Sequence, residues 1–311
     1  MNKNAYWRKR EAEQLKHNIV EEAALQREMV NRYALMLRQV EVQINDFYAR
    51  YARAEKITLA EAQQRVAKMD VQAFAAKAKK YVKEKDFSPQ ANKELRLYNA
   101  TMRINRLELL KSNIGLEVVD GFNDIEKQIK DGLTKRTADE LARQEEILRT
   151  EAGILNTTVF ANAKTVQSIV NASFNNATWS TRIWGNQSQL RDTLSALLTN
   201  GLIQGKNPLA LAPSLRDLFN ASRKNAERLM VTEMARVQTD AQMESYKRNG
   251  IDEYVFISVD TACSTCMELN GQHFRVSEME PGENAPPIHP HCRCSTAAYI
   301  DAEALRKELF G

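Results

Sequence analysis

From Glu11 to Ala54 the chain contains neither glycine nor proline, and Leu25, Met29, Tyr33, Leu37, Val40, Ile44, Tyr48 and Tyr51 recur at three- and four-residue spacing. A strand would bury every second residue, so this spacing predicts one long amphipathic helix, with room for a single break. A helix of that length cannot bury its apolar stripe alone, which commits the chain to packing helix against helix. The composition agrees, because 11 glycines and 7 prolines in 311 residues leave few tight turns. The predicted fold class is mainly α: long N-terminal helices, then an α+β C-terminal domain that ends in a small β unit.

Further helix starts follow. Thr58-Leu59-Ala60-Glu61 has the form of a capping box, and Ser88-Pro89 is a cap followed by the residue tolerated at the first helical position. Helical spacing continues through Leu97, Ile104, Leu107 and Leu110 and from Ile125 to Leu148, with Gly115, Gly121 and Gly132 expected as breaks. A polar stretch from Asn156 to Asn176 suggests a boundary. Beyond it, Ser188 is expected to cap a helix carrying Leu190, Leu194, Leu197 and Leu198 that stops at Gly201, and Pro213-Ser214 to open the next. A third helix is expected from Ser222 to Asn249, with Met230, Met234, Val237 and Ala241 inward and Gly250 as its stop. Tyr254 to Ile257 is the first convincing strand. The predicted organisation is a long-helical region over 1–160, a second helical part over 161–250, a β unit over 251–300 and a helical tail over 301–311.

Charge excludes little. Lys and Arg number 44 against 40 Asp and Glu, so any DNA contact must be local; the basic run Lys77, Lys79, Lys80, Lys83 and Lys85 reads first as a solvated helix face, with a DNA or phosphate contact as the alternative. The cluster Tyr6-Trp7-Arg8-Lys9-Arg10 fits either a partner-docking patch or a packed helix start. No run of about 18 apolar residues and no secretion signal is visible, so a soluble protein made in a cytoplasm is expected. Gly201 to Asn207 resembles a phosphate-binding loop only faintly: the glycines are too close and Asn207 stands where a hydroxyl should hold magnesium.

All four cysteines (Cys263, Cys266, Cys292, Cys294) and three of the four histidines (His273, His289, His291) fall between Cys263 and Cys294. Cys263-Ser-Thr-Cys266 lets two sulfurs reach one ion from a tight turn, and His289-Pro-His-Cys292-Arg-Cys294 offers a second chelating half. Zinc suits mixed thiolate and imidazole ligands, and a small β unit with little core of its own gains folding free energy from such an ion. Disulfides remain an alternative. A nucleophilic cysteine paired with His289 or His291 is another, although it leaves three cysteines without a role. Five donors compete for four places: Cys263, Cys266, His289 and Cys292 are favoured, with Cys294 as a substitute in the second half. His291, behind Pro290, is expected to face solvent, and His273 to be an ordinary strand residue. Asn270-Gly271 is a strong hairpin signal between Leu269 and Phe274.

The motifs Asp260-Thr-Ala-Cys263-Ser-Thr-Cys266, Leu269-Asn-Gly271-Gln-His-Phe274 and Pro286-Pro287-Ile-His289-Pro290-His-Cys292-Arg293-Cys294 resemble the C-terminal signature of phage minor head proteins. These are the head morphogenesis proteins similar to protein F of phage Mu. Thr232-Glu233-Met-Ala-Arg236 resembles the family's Thr-Glu-x-x-Arg segment. The resemblance covers about Trp179 to Ser295, and the N-terminal half is similar to the long-helical front of some members. It implies a structural, non-enzymatic minor capsid component of a tailed phage, binding the portal and the major capsid or scaffolding protein in procapsid assembly, DNA packaging or DNA ejection. It also implies a place inside the virion near the portal, and in the host cytoplasm during assembly. Some members carry an enzyme after the signature; only 295–311 follow here, so none is expected. No membrane contact and no small-molecule substrate is expected. The alternatives are a DNA-binding module, using Lys77 to Lys85 or Arg293, and a zinc-dependent nuclease in which His289 and His291 act with one of Glu268, Glu278, Glu280 or Glu283 as base.

Overall fold

The computed structural model describes residues 3–55, 104–151, 162–203 and 208–299. The capping box at Thr58, the Ser88-Pro89 start, the basic run Lys77 to Lys85, the boundary near 160, most of the Gly201 to Asn207 phrase and the tail over 301–311 lie outside the described residues, wholly or at their decisive positions. Among the described residues five helices come first: α1 (Lys3–Glu55), α2 (Ile104–Glu151), α3 (Ala163–Val170), α4 (Trp179–Ile203) and α5 (Pro208–Arg248). Strand β1 (Glu253–Ile257), the short helix α6 (Ser264–Leu269), β2 (His273–Arg275), a 3-10 turn and β3 (Ser295–Tyr299) follow. The fold is mainly helical with one small C-terminal sheet, as the sequence implies.

α1 runs unbroken, and so does α2: Gly115, Gly121 and Gly132 do not break it. A glycine inside a helix costs about 1 kcal/mol relative to alanine, too little to end a helix whose flanking turns are buried. Two of the three have a packing role. A Cβ at Gly121 would lie 2.1 Å from the Met36 sulfur, and one at Gly132 would lie 2.7 Å from Met234 and 2.9 Å from Leu25. Ser188 does not cap a helix either. α4 starts nine residues earlier, where the Thr178 hydroxyl accepts from the Thr181 N–H (3.2 Å) and Trp179 and Ile183 extend the buried face upstream. Likewise Pro213 sits inside α5, exposed, while Leu211 and Leu215 on either side are buried. Burial of these leucines outweighs the backbone hydrogen bond that proline removes. Gly250, with φ +66, does end α5.

The described residues fall within two compact units. One lies within Val30–Asp124 and Gly185–Arg223. Its core is built from Tyr33, Met36, Val40 and Ile44 of α1, Ile114, Val118 and Phe122 of α2, Leu190, Leu194 and Leu198 of α4, and Leu211, Leu215 and Phe219 of α5. Tyr33 meets Phe122 edge to face and bonds its hydroxyl to Ser222 (3.1 Å), which satisfies both ends of a buried amphipathic ring.

The other unit lies within Met1–Met29, Ile125–Trp184 and Lys224–Gly311 and holds the sheet. The strand order is β2-β1-β3, antiparallel throughout, with Tyr254 opposite Phe274 and Ala298. Side chains alternate as a pleated strand requires. Tyr254 packs with Tyr246, Leu148 and Ala298, and Phe256 with the cysteines, whereas Val255 and Ile257 face the opposite side with Ala297. On that opposite side Trp7 of α1 covers the sheet, so this tryptophan is packed at the helix start. Leu269 and Phe274 are not hairpin partners: β2 pairs with β1, and Asn270-Gly271 links α6 to β2, with Gly271 at φ +79. The Gly271 N–H donates to Phe256 O (2.8 Å) and Asn270 Oδ1 accepts from the Ser258 N–H (3.0 Å). The turn signal was real, but its first arm is helical.

A buried polar layer joins α1, α2, α5 and β3 in this unit. Arg143 donates to both oxygens of Glu11 (2.8 and 3.1 Å) and to Glu140. Gln242 donates to Glu140 (2.8 Å) and to Ser295 Oγ (2.9 Å), and Ser295 donates to Glu11 (2.7 Å). Asn18 donates to Gln238 (2.8 Å). Buried charges persist only when paired in this way.

Candidate metal centre

Each half of the centre is shaped by its local sequence. Cys263 is the N-cap of α6, and the Met267 N–H donates to its carbonyl (2.9 Å), so Cys266 follows within the first helical turn. In the second half the Cys292 N–H donates to His289 O (3.0 Å), closing a turn with Pro290 in the second position and His291 at φ +63 in the third. Proline followed by a left-handed residue is the pattern of a type II turn. This turn sends the His291 ring outward, as expected from its sequence position, and its N–H donates to Thr232 Oγ1 (3.2 Å).

The two halves meet. His289 Nε2 lies 3.3 Å from Cys263 Sγ and 3.4 Å from Cys266 Sγ, and Cys266 Sγ lies 3.9 Å from Cys292 Sγ. Ligand atoms around a tetrahedral zinc, with Zn–S about 2.3 Å and Zn–N about 2.0–2.1 Å, stand roughly 3.5–3.8 Å apart. The observed edges match that scale. The donors form two sets of three, Cys263, Cys266 and His289, and Cys266, Cys292 and Cys294, which share Cys266. The second set is buried, so a cluster that can hold a metal ion is present in the fold. His273 lies apart from it, on β2, exposed, 4.0 Å from Glu253 and edge-on to Tyr299.

Electrostatics favour a donor role for His289. Its Nδ1 lies 2.8 Å from Pro290 O, so this nitrogen carries the hydrogen and leaves the Nε2 lone pair facing the two sulfurs. Metal-bound histidines are oriented by such outer hydrogen bonds. The same bond, with the Cys292 and Cys263 sulfurs behind it, raises His289 above the ordinary imidazole range despite partial burial. Cys292 is lowered to about 5, first by the hydrogen bond from the Cys294 thiol to its sulfur, against the opposing effect of burial. Cys294 is held correspondingly high by that bond and by burial. Burial pushes Cys266 up to about 12, with the Cys292 sulfur adding to the rise. Cys263, exposed, is lowered first by the backbone N–H of Cys266. A cation among the sulfurs would offset their mutual repulsion and hold them as thiolates.

The flanking residues have partners that no sequence pattern indicated. Arg293, between two cysteines, donates to Glu22 of α1 (3.1 and 3.3 Å). Glu233 and Arg236, both buried, pair at 2.6 Å, and Arg236 also donates to Ile169 O (3.0 Å) and Asp240 (2.6 Å). The Thr-Glu-x-x-Arg segment therefore ties the C-terminal carbonyls of α3 to α5. One signal was readable for α1: Glu11, Asn18 and Glu22 continue the helical stripe of Met29, Met36 and Val40, which marks them as inward-facing polar residues.

Residues 192–297 match the family model described as Phage Mu protein F like protein. The matched segment contains all five candidate donors, α5 and the sheet nearly to its end, and it supports a phage head morphogenesis and minor capsid family. No curated protein and no solved structure matches the chain.

Proposed function

We propose that this chain is a structural minor capsid protein of a tailed phage, placed inside the head near the portal. On this reading it acts by binding the portal and the major capsid or scaffolding protein during procapsid assembly, DNA packaging or DNA ejection, and it is not an enzyme. Its support is the match over 192–297 to a phage head family, whose matched segment runs through the cysteine and histidine cluster. Among the described residues no helix is long and apolar enough to cross a membrane.

The cluster fits a structural zinc ion. The donors are all sulfur and imidazole, the His289 contacts to Cys263 and Cys266 and the Cys266–Cys292 contact are on the scale of a tetrahedral ion's edges, and His289 is held in the right tautomer. Cys263, Cys266, His289 and Cys292 would hold the ion, with Cys294 bonding to Cys292 or replacing a member of the second half. Such an ion would join α6 to the irregular backbone before β3, beside the apolar packing of Leu269 and Ile288 around the cysteines.

Two measurements test this reading. Quantitative mass spectrometry of gradient-purified procapsids and mature particles should find a few copies per particle, and absence from both would sink the head-protein role. Elemental analysis of protein purified without chelator should find zinc, and its absence would remove the metal but leave the head-protein role standing.

A further inference from the structure

Residues that alternate with or flank the metal-site cysteines add to the hold on the start of α1, beside the bonds from Arg143 to Glu11 and between Asn18 and Gln238. Asp260, three residues before Cys263, pairs with Arg8 (3.1 Å). Arg293, between Cys292 and Cys294, pairs with Glu22, whose carboxylate is 5% exposed. Ser295, directly after Cys294, donates to Glu11 (2.7 Å). Trp7 lies on the sheet that β3 completes. Three contacts along residues 8–22 of α1 thus depend on where the 258–263 and 286–295 backbones sit, and much of that backbone is irregular.

We propose that the metal centre is a clasp for the N-terminal part of α1: the bound ion fixes the Arg293, Ser295 and Asp260 positions, and these hold residues 7–22 against the sheet. The inference rests on the reading of the cluster as a metal site. The physics is linkage. Arg293 sits between two donors, so fixing the sulfurs fixes its backbone on both sides and lowers the entropy lost on reaching Glu22. By the same coupling, a docked α1 must tighten the hold on the metal. Loss of the ion would loosen residues 7–22, which would keep the Arg143 and Gln238 contacts, while the helix-on-helix core around Tyr33 and Phe122 stayed intact.

Hydrogen exchange on the full chain, with zinc bound and after its removal by a chelator, tests the clasp. Expected is exchange at least about tenfold faster in peptides covering 7–22, with peptides covering 33–44 unchanged. Arg293→Gln, with zinc content unchanged, should loosen the peptides around Glu22. Glu22→Gln should speed loss of zinc to a competing chelator by about threefold or more. Unchanged protection at 7–22 after zinc removal would overturn the clasp and leave the metal site standing. Loss of protection in all peptides alike would also overturn it, because the ion would then hold the whole fold. Protein that never carries zinc would fail the metal reading itself, and the clasp with it.

Discussion

At the residue scale, two kinds of buried polar group behave differently. Cys266 belongs to both sets of donors, so Cys266→Ser should abolish zinc binding. Cys294→Ser should leave about one zinc per chain, as should His291→Ala, whose ring points outward. Zinc content of the three purified variants checks this, and retention by Cys266→Ser would refute the assignment. The Glu233 and Arg236 pair is buried on both sides and joined at 2.6 Å. Arg236→Met leaves the Glu233 carboxylate fully buried with only Arg182 at 3.4 Å. It should lower stability by about 3 kcal/mol or more in urea unfolding, and the double variant with Glu233→Gln should recover part of the loss. No recovery would mean that the ties from Arg236 to α3, and not the stranded charge, carry the cost.

At the element scale, the glycines of α2 divide by what stands next to them. A Cβ at Gly115 would meet nothing within 4 Å, so Gly115→Ala should stabilise the chain by about 0.5–1 kcal/mol through lower unfolded-state entropy. Gly121→Ala meets Met36 and should destabilise by about 1–3 kcal/mol, because the methionine must leave its place in a packed core. Opposite shifts in the urea midpoint are expected; shifts of one sign would show that propensity alone governs α2. The same comparison explains why breaks read at Gly115, Gly121 and Gly132 do not occur. Local propensity is a weak preference, and the buried stripe of Ile114, Val118, Phe122, Ile125, Ile129 and Leu133 overrides it. Pro213 within α5 and the early start of α4 have the same cause.

At the scale of the whole molecule, a structural ion should raise thermal stability, so chelation is expected to lower the melting temperature by several degrees or more in the wild-type chain and to have no effect on Cys266→Ser. An unchanged midpoint on chelation of zinc-loaded protein would count against a stabilising role. The helical class, the strand Tyr254 to Ile257 and a cysteine and histidine cluster able to hold a metal were legible in the sequence because each is a local pattern: helical spacing, β-branched and aromatic residues in a row, two cysteines one turn apart. Local pattern could not show that each unit is assembled from separate stretches of the chain. Nor could it pair Glu22 with Arg293 or Glu11 with Ser295, since nothing near either residue marks its partner. Spacing along the chain determined which residues form helices and which side chains could bind a metal. Only tertiary packing decided which glycines matter, which carboxylates are buried and what the arginine between the cysteines holds, because those depend on neighbours brought together by burial of apolar surface far from them in sequence.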